Sequence, residues 1–143
     1  MLRILLFLSL LTSCLAVTGD EVIAAVIIGE AGGEGQLGMR AVASVIVNRI
    51  RPDKDAFHIV TQKFQFSCLN NKEYGDFVYK ARLHPRWSFA VELTKEINNG
   101  TLVDVTGGAT HFLNTAKVRR IPRWAYLFEF KGKIGAHSFY KGT

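Results

Sequence analysis

The sequence predicts an α+β domain, helices first and a small antiparallel sheet last. Three features carry that prediction. An unbroken apolar run, Val22–Ile28, follows a helix-start signal. Apolar residues recur at helical spacing between Leu37 and Arg51 and again after Pro85. Beyond Thr106-Gly107-Gly108 the chain turns to short aromatic segments separated by glycine. With 143 residues, 48% of them hydrophobic and 21% charged, the chain suffices for one compact core.

The N-terminus reads as an export signal. Met1-Leu2-Arg3 supplies a short positive start, Ile4–Leu11 an apolar run, and small or polar residues follow. The run is too short to span a bilayer. The expected organisation is a signal peptide over residues 1–19 and a single domain over 20–143. Leu11-Thr12-Ser13-Cys14 fits a lipobox, in which the Cys14 thiol would carry lipid and hold the protein to a membrane. The alternative is ordinary cleavage near Ala16 or Gly19, with Cys14 discarded. In either case Cys68 is left alone, so no framework disulfide is expected.

Thr18 and Glu21 form a capping box that opens the first helix, which is apolar on every face through Ile28 and therefore buried. Gly29 and Gly32-Gly33 are expected to end it. A second helix is predicted from about Leu37 to Arg51, with Val42, Val45, Ile46 and Ile50 on its core face, Arg49 and Arg51 in its last turn, and Pro52 closing it. Asp55–Gln62 suggests a short helix, and Phe64–Leu69 an irregular loop wall; the stretch up to Arg82 carries no decisive pattern. A third helix starts near Pro85, carries Phe89, Leu93 and Ile97, and stops at Asn98-Asn99-Gly100. Strands are predicted over Ala109–Asn114, Leu127–Phe130 and Ile134–Tyr140, the last two joined through Lys131-Gly132.

The net charge of +6 favours polyanions such as nucleic acid, anionic lipid or acidic wall polymers. Lys and Arg are spread out with no block of five or six, so a nucleic-acid arm is not expected. The glycines around Glu30 make no phosphate loop: there is no Gly-Lys-Ser/Thr ending and no G-x-G-x-x-G after a strand. His58, His84, His111 and His137 make no H-E-x-x-H pair, and His111 and His137 are expected to face each other across the sheet. No metal or other cofactor is expected, and no Ser or Cys sits in a nucleophile elbow.

Glu30 is the leading catalytic candidate. It follows an all-apolar helix and lies among glycines, Gly29-Glu30-Ala31-Gly32-Gly33-Glu34-Gly35. Partial desolvation there would favour the protonated carboxyl that a general acid requires. The glycines would let a polymer approach the backbone. Glu34 is a possible second carboxylate, or else a first-turn acid of the next helix. Trp124 and Tyr140, with Asn114 and His137, could form a stacking and hydrogen-bonding wall for sugars, although most aromatics must be core in so small a domain.

Four blocks in order resemble the SleB/CwlJ type of cell-wall hydrolase, the spore-cortex-lytic enzyme family. They are Gly29–Glu34 with Ala41-Val42-Ala43 and Val47-Asn48-Arg49; Gln65-Phe66-Ser67-Cys68; Asp104 with Thr106–Phe112 and Asn114; and Pro122 and Trp124-Ala125, with Ile134-Gly135, His137 and Phe139-Tyr140. The resemblance implies a small lysozyme-like catalytic domain that acts on peptidoglycan glycan strands outside the cytoplasm, in the periplasm, the envelope or the medium. It implies cleavage between N-acetylmuramic acid and N-acetylglucosamine by a lytic transglycosylase whose single acid/base corresponds to Glu30. Glu34, Gln65, Phe66, Ser67, Thr110, His111, Asn114, Trp124, His137 and Tyr140 are the expected substrate-binding residues. One departure stands out, Gly32 where the family usually carries Arg. Two other readings stay open: a wall-binding protein that keeps the fold without catalysis, and a zinc amidase that cuts the peptide stem.

Overall fold

The computed structural model describes residues 17–62, 65–69 and 73–143. Cys14 and nearly all of the expected signal peptide, together with Phe64, lie outside the described residues. The elements run α1 (Gly19–Ala31), α2 (Gly35–Arg49), α3 (Ala56–Thr61), a 3₁₀ turn (Ser67–Leu69), α4 (Tyr74–Arg82), α5 (Trp87–Asn99), β1 (His111–Asn114), α6 (Trp124–Leu127), β2 (Glu129–Ile134) and β3 (His137–Lys141).

Helix α1 is the hub. Val22 through Ile27 are at most 2% exposed, because α2, α3, α4 and α5 pack around it and cover every face of the apolar run. Thr18 caps it, its Oγ1 accepting the Glu21 N–H at 3.2 Å. The Glu21 carboxylate is engaged by the guanidinium of Arg82 in α4, whose Nε donates at 2.6 Å. The expected stop at Gly29 is corrected: the helix continues through Glu30 to Ala31 and is capped at Gly32. A glycine inside a helix weakens it without ending it, and here its missing side chain makes room for a neighbour.

Helix α2 starts at Gly35, ends at Arg49 rather than Arg51, and has two buried faces. Met39, Val42, Ala43 and Ile46 join the helical core, whereas Ala41 and Val45 pack with Ala109 and Phe139 of the sheet region. Phe112 touches both clusters and ties them together. Arg51 leaves the helix because its backbone pairs with Lys54 around Pro52-Asp53. Asp55 caps α3, its Oδ1 accepting the His58 N–H at 2.9 Å. Helix α4 was not foreseen, since only Val78 and Ala81 of its nine residues are buried and its apolar stripe is thin. Helix α5 buries Leu93 and Ile97 and stops at Gly100, whose φ of +69° suits a left-handed cap.

The sheet has the order β1-β3-β2 and is antiparallel throughout. The predicted hairpin is displaced. Leu127 belongs to α6, Lys131-Gly132 lies inside β2 at a register irregularity, and the chain reverses at Gly135-Ala136, where Ile134 pairs with His137. Gly135 has φ +57°, the conformation a two-residue hairpin turn demands. The histidines do not face each other: His111 pairs with Tyr140 and His137 with Asn114. Strand alternation therefore puts them on opposite faces of the sheet.

Candidate active site

A groove of about 660 Å³ runs along the edge strand β1, from the end of α1 to the start of α6. Gly29 and Glu30 line it from the end of α1, Gln65 and Ser67 from the 3₁₀ turn region, His111 and Asn114 from β1, His137 from β3 beside Asn114, and Trp124 from α6. Glu30 is half-buried, and its Oε1 accepts the Cys68 N–H at 3.2 Å. That bond depends on Gly29. A Cβ there would lie 2.8 Å from Cys68 Cβ and 3.2 Å from Phe77 Cζ, so only glycine lets the turn settle on α1. The role expected for this glycine, admitting a polymer, thus goes in part to a neighbouring segment of the chain itself.

Arg49 forms the junction of the groove floor. Its Nε donates to the Thr110 carbonyl at 2.5 Å, its Nη1 to Gln65 Oε1 at 3.1 Å, and its guanidinium carbon lies 5.4 Å from the centre of the Phe66 ring. Behind it, Asp104 organises the approach to β1. Oδ1 accepts from the Thr106 N–H at 2.7 Å and the Thr106 hydroxyl at 2.6 Å; Oδ2 accepts from the Gly108 N–H at 2.7 Å and Asn48 Nδ2 at 3.2 Å. Burial alone would raise the Asp104 pKa, but these hydrogen bonds together hold it below the usual carboxylate value.

On the outer face of the sheet His111, Trp124, Phe128 and Tyr140 form an aromatic cluster. Trp124 stacks on Phe128 with centroids 5.7 Å apart, and His111 sits 5.0 Å from Trp124. Burial, aided by the nearby charge of Arg49, pushes the His111 pKa down to about 4, so the ring is neutral at ordinary pH. Thr110 Oγ1 lies 2.9 Å from His111 Nδ1 and accepts the Gly142 N–H at 2.8 Å.

On the inner face His137 packs edge-on to Phe112 at 5.1 Å and is buried. Its Nδ1 makes no hydrogen bond among the described residues. Burial lowers its pKa against the opposing pull of Glu34 and Glu30, with Lys117 adding to the lowering. Glu34 does not line the groove. Its Oε2 accepts the Ala136 N–H at 3.0 Å, latching the β2–β3 turn to the start of α2. A Cβ on Gly135 would lie 2.2 Å from that oxygen, so the latch requires glycine.

The structure thus gathers Glu30, Gln65, Ser67, His111, Asn114, Trp124 and His137 around one groove. The other four candidates are placed differently. Phe66 is 2% exposed and belongs to the core; Glu34 serves the hairpin; Thr110 supports His111; and Tyr140 stands behind Trp124 with centroids 5.4 Å apart. Arg49, Lys117 and Pro122 also line the groove and were not singled out as binding residues. For Arg49 the signal is the Val47-Asn48-Arg49 block, although its place in the last turn of α2 equally suits a helix-end cation. Among the described residues no group of three His, Cys, Asp or Glu side chains is arranged to hold a metal ion. The Gly32 departure has a local cause. A Cβ there would meet the Ile28 carbonyl at 2.6 Å and His84 Nε2 at 3.1 Å, and Arg86 Nη1 donates to the Gly32 carbonyl at 2.9 Å.

A family model described as cell wall hydrolase matches residues 33–140, so Glu30 lies just ahead of the matched segment. The chain is similar to the crystal structure of the catalytic domain of the Bacillus cereus SleB protein, at 26% identity and a TM-score of 0.65 over 86% of this chain and 89% of that one. It is also similar to the catalytic domain of the germination-specific lytic transglycosylase SleB from Bacillus anthracis, at 27% identity and a TM-score of 0.65 over 86% and 93%. No curated protein sequence matches it.

Proposed function

The chain belongs to the cell wall hydrolase family and is a peptidoglycan-cleaving enzyme; within that class we propose that it is a lytic transglycosylase with Glu30 as both acid and base. The bond cut is that between N-acetylmuramic acid and N-acetylglucosamine. The observation that carries this reading is that, among the described residues, Glu30 is the one carboxylate lining the groove. A glycosidase that uses water or a covalent intermediate works with two carboxylates flanking the bond. Glu34, the nearest alternative in sequence, is bound to the Ala136 N–H and does not line the groove.

A single carboxylate suffices if the substrate supplies its own nucleophile. Protonated Glu30 gives its proton to the glycosidic oxygen, and the bond from that oxygen to the muramoyl C1 breaks. The resulting carboxylate then takes the proton of the muramoyl 6-hydroxyl as O6 bonds to C1. The product is a 1,6-anhydro sugar, no water is consumed, and Glu30 ends protonated as it began. The Cys68 N–H holds one carboxylate oxygen and so fixes the direction in which the other points. Gln65, Ser67 and Asn114 offer hydrogen bonds to sugar hydroxyl and acetamido groups, Trp124 offers a ring face, and Nδ1 of His137, without a partner among the described residues, offers a buried hydrogen-bonding point. The groove is also extended. Arg49, Gln65 and His111 are shared with a second hollow beyond it, which suits a polymer.

In this reading the N-terminal segment directs export and the catalytic domain follows. Val17 packs on the core and Thr18 caps α1, which favours cleavage at or before Ala16 over cleavage after Gly19. Lipidation at Cys14 would tether the domain at a membrane surface. The test is mass spectrometry of the fragments released from purified peptidoglycan. Muropeptides ending in 1,6-anhydro-muramic acid are expected. Reducing muramic ends would replace transglycosylation by hydrolysis, free stem peptides would mean an amidase, and binding without fragments would mean a wall-binding protein.

A further inference from the structure

Next to the groove lies a further hollow of about 440 Å³, distinct from the one that shares Arg49, Gln65 and His111 with it and lined by Arg120, Ile121, Pro122, Arg123 and Tyr126. Pro122 lines both this hollow and the groove, so the hollow adjoins the groove. Its chemistry is one-sided. Arg120 and Arg123 are exposed, and neither side chain makes an ion pair or a hydrogen bond among the described residues. Lys117, at the groove, and Arg119 add two more cations to the same segment, and no Asp or Glu occurs between Asp104 and Glu129. Guanidinium groups only donate hydrogen bonds, so apart from the Tyr126 hydroxyl the lining side chains include no acceptor. A sugar hydroxyl, which donates as well as accepts, is poorly served by such a set.

The glycan that fills the groove is uncharged, so four cations beside it are not there for the sugar rings. What carries negative charge on peptidoglycan is the peptide stem on each muramic acid, with its free carboxylates. We propose that the hollow formed by Arg120, Ile121, Pro122, Arg123 and Tyr126 is a carboxylate-binding subsite for the peptide stem. The proposal rests on the glycan-cleaving reading above and deepens it. Two planar forks suit carboxylates better than a point charge would. The apolar remainder, Ile121, Pro122 and the Tyr126 ring, matches the methyl groups of the alanyl residues between those carboxylates. A concave site with two guanidinium groups fits a short chain and not a flat lipid surface.

The test is a binding titration of the full chain with three soluble ligands followed by NMR. They are the disaccharide N-acetylglucosaminyl-N-acetylmuramic acid bearing its peptide stem, the same compound with the stem carboxylates amidated, and the disaccharide without a stem, its freed lactyl carboxyl capped as the methyl amide so that it carries no charge. None contains the bond the enzyme cuts, so the result does not depend on cleavage. The free-acid ligand is expected to bind about tenfold more tightly than the amidated one at low salt, and the difference should shrink in high salt. Arg120→Gln with Arg123→Gln should remove that preference and leave the stemless affinity unchanged, while Arg120→Lys with Arg123→Lys should retain part of it. Equal binding of all three ligands, or a preference that survives the double Gln substitution, overturns the proposal. So does inorganic phosphate competing as well as the free-acid stem, which would give the hollow to phosphodiester polymers. Failure of the glycan-cleaving reading shows separately, as absence of anhydro-muropeptides in the digest.

Discussion

Helix α1 and the segment 115–123 line the same groove and are built on opposite principles. In α1 the side chains from Val22 through Ile27 are enclosed by other helices, and Glu30 emerges at its end as one carboxyl on a rigid support. The segment 115–123 is mostly exposed; the Lys117 and Val118 N–H groups both return to the Asn114 carbonyl, and its four cations are exposed. The difference separates two tasks. Bond cleavage needs a group held to within a fraction of an ångström, which burial supplies. Recognition of a charged, variable substituent is served by exposed cations on a loop.

The comparison is most sharply tested at Glu30. Glu30→Gln is expected to lower release of anhydro-muropeptides roughly a thousandfold while the melting temperature stays within a degree or two of the parent. A fully active variant would move the chemistry away from α1. The next test concerns the support. By helix propensity alone Gly29→Ala gains about 1 kcal/mol, but crowding Cys68 and Phe77 costs about 1–3 kcal/mol. The expected outcome in a urea melt is net destabilisation with slowed turnover, because the turn that donates to Glu30 must shift. A more stable variant would show that the turn yields freely.

The sheet side is expected to make stability depend on pH. The folded pKa of His111 is lowered to about 4 from an ordinary 6.5, and that of His137 is lowered too. The contribution of His111 to stability is therefore fully present above about pH 6.5 and is lost as the unfolded chain takes up protons between about pH 6.5 and 4, and His137 acts in the same direction. Thermal melts across that window should fall by a few degrees, and His111→Gln should flatten part of the fall. An unchanged slope would assign it elsewhere. The smallest effect belongs to the start of α1. Thr18→Ala should cost about 0.5–1 kcal/mol without altering cleavage, as a denaturant titration would measure.

Legibility in the sequence followed burial. Val22–Ile28 and the Leu93/Ile97 face of α5 declared their helices because a core-facing pattern repeats over several turns. Thr18, Asp55 and Gly100 marked ends correctly because caps are local chemistry. Helix α4, with two buried residues, left no such pattern, and the hairpin turn was displaced because Lys131-Gly132 and Gly135-Ala136 are equally plausible reversals locally.

From the sequence alone came the α+β order, the buried first helix, the family resemblance and Glu30 as the leading carboxylate. Each depends on residues close in the chain or on motifs in order. Tertiary structure decided that Gly29 seats Cys68 beside Glu30, that Glu34 holds the hairpin and does not line the groove, and that His111 and His137 occupy opposite faces of the sheet. It also decided that the hollow lined by Arg120 and Arg123 adjoins that groove. The first three are contacts between residues tens of positions apart, set by helix packing and strand register, and no local pattern of side chains encodes them.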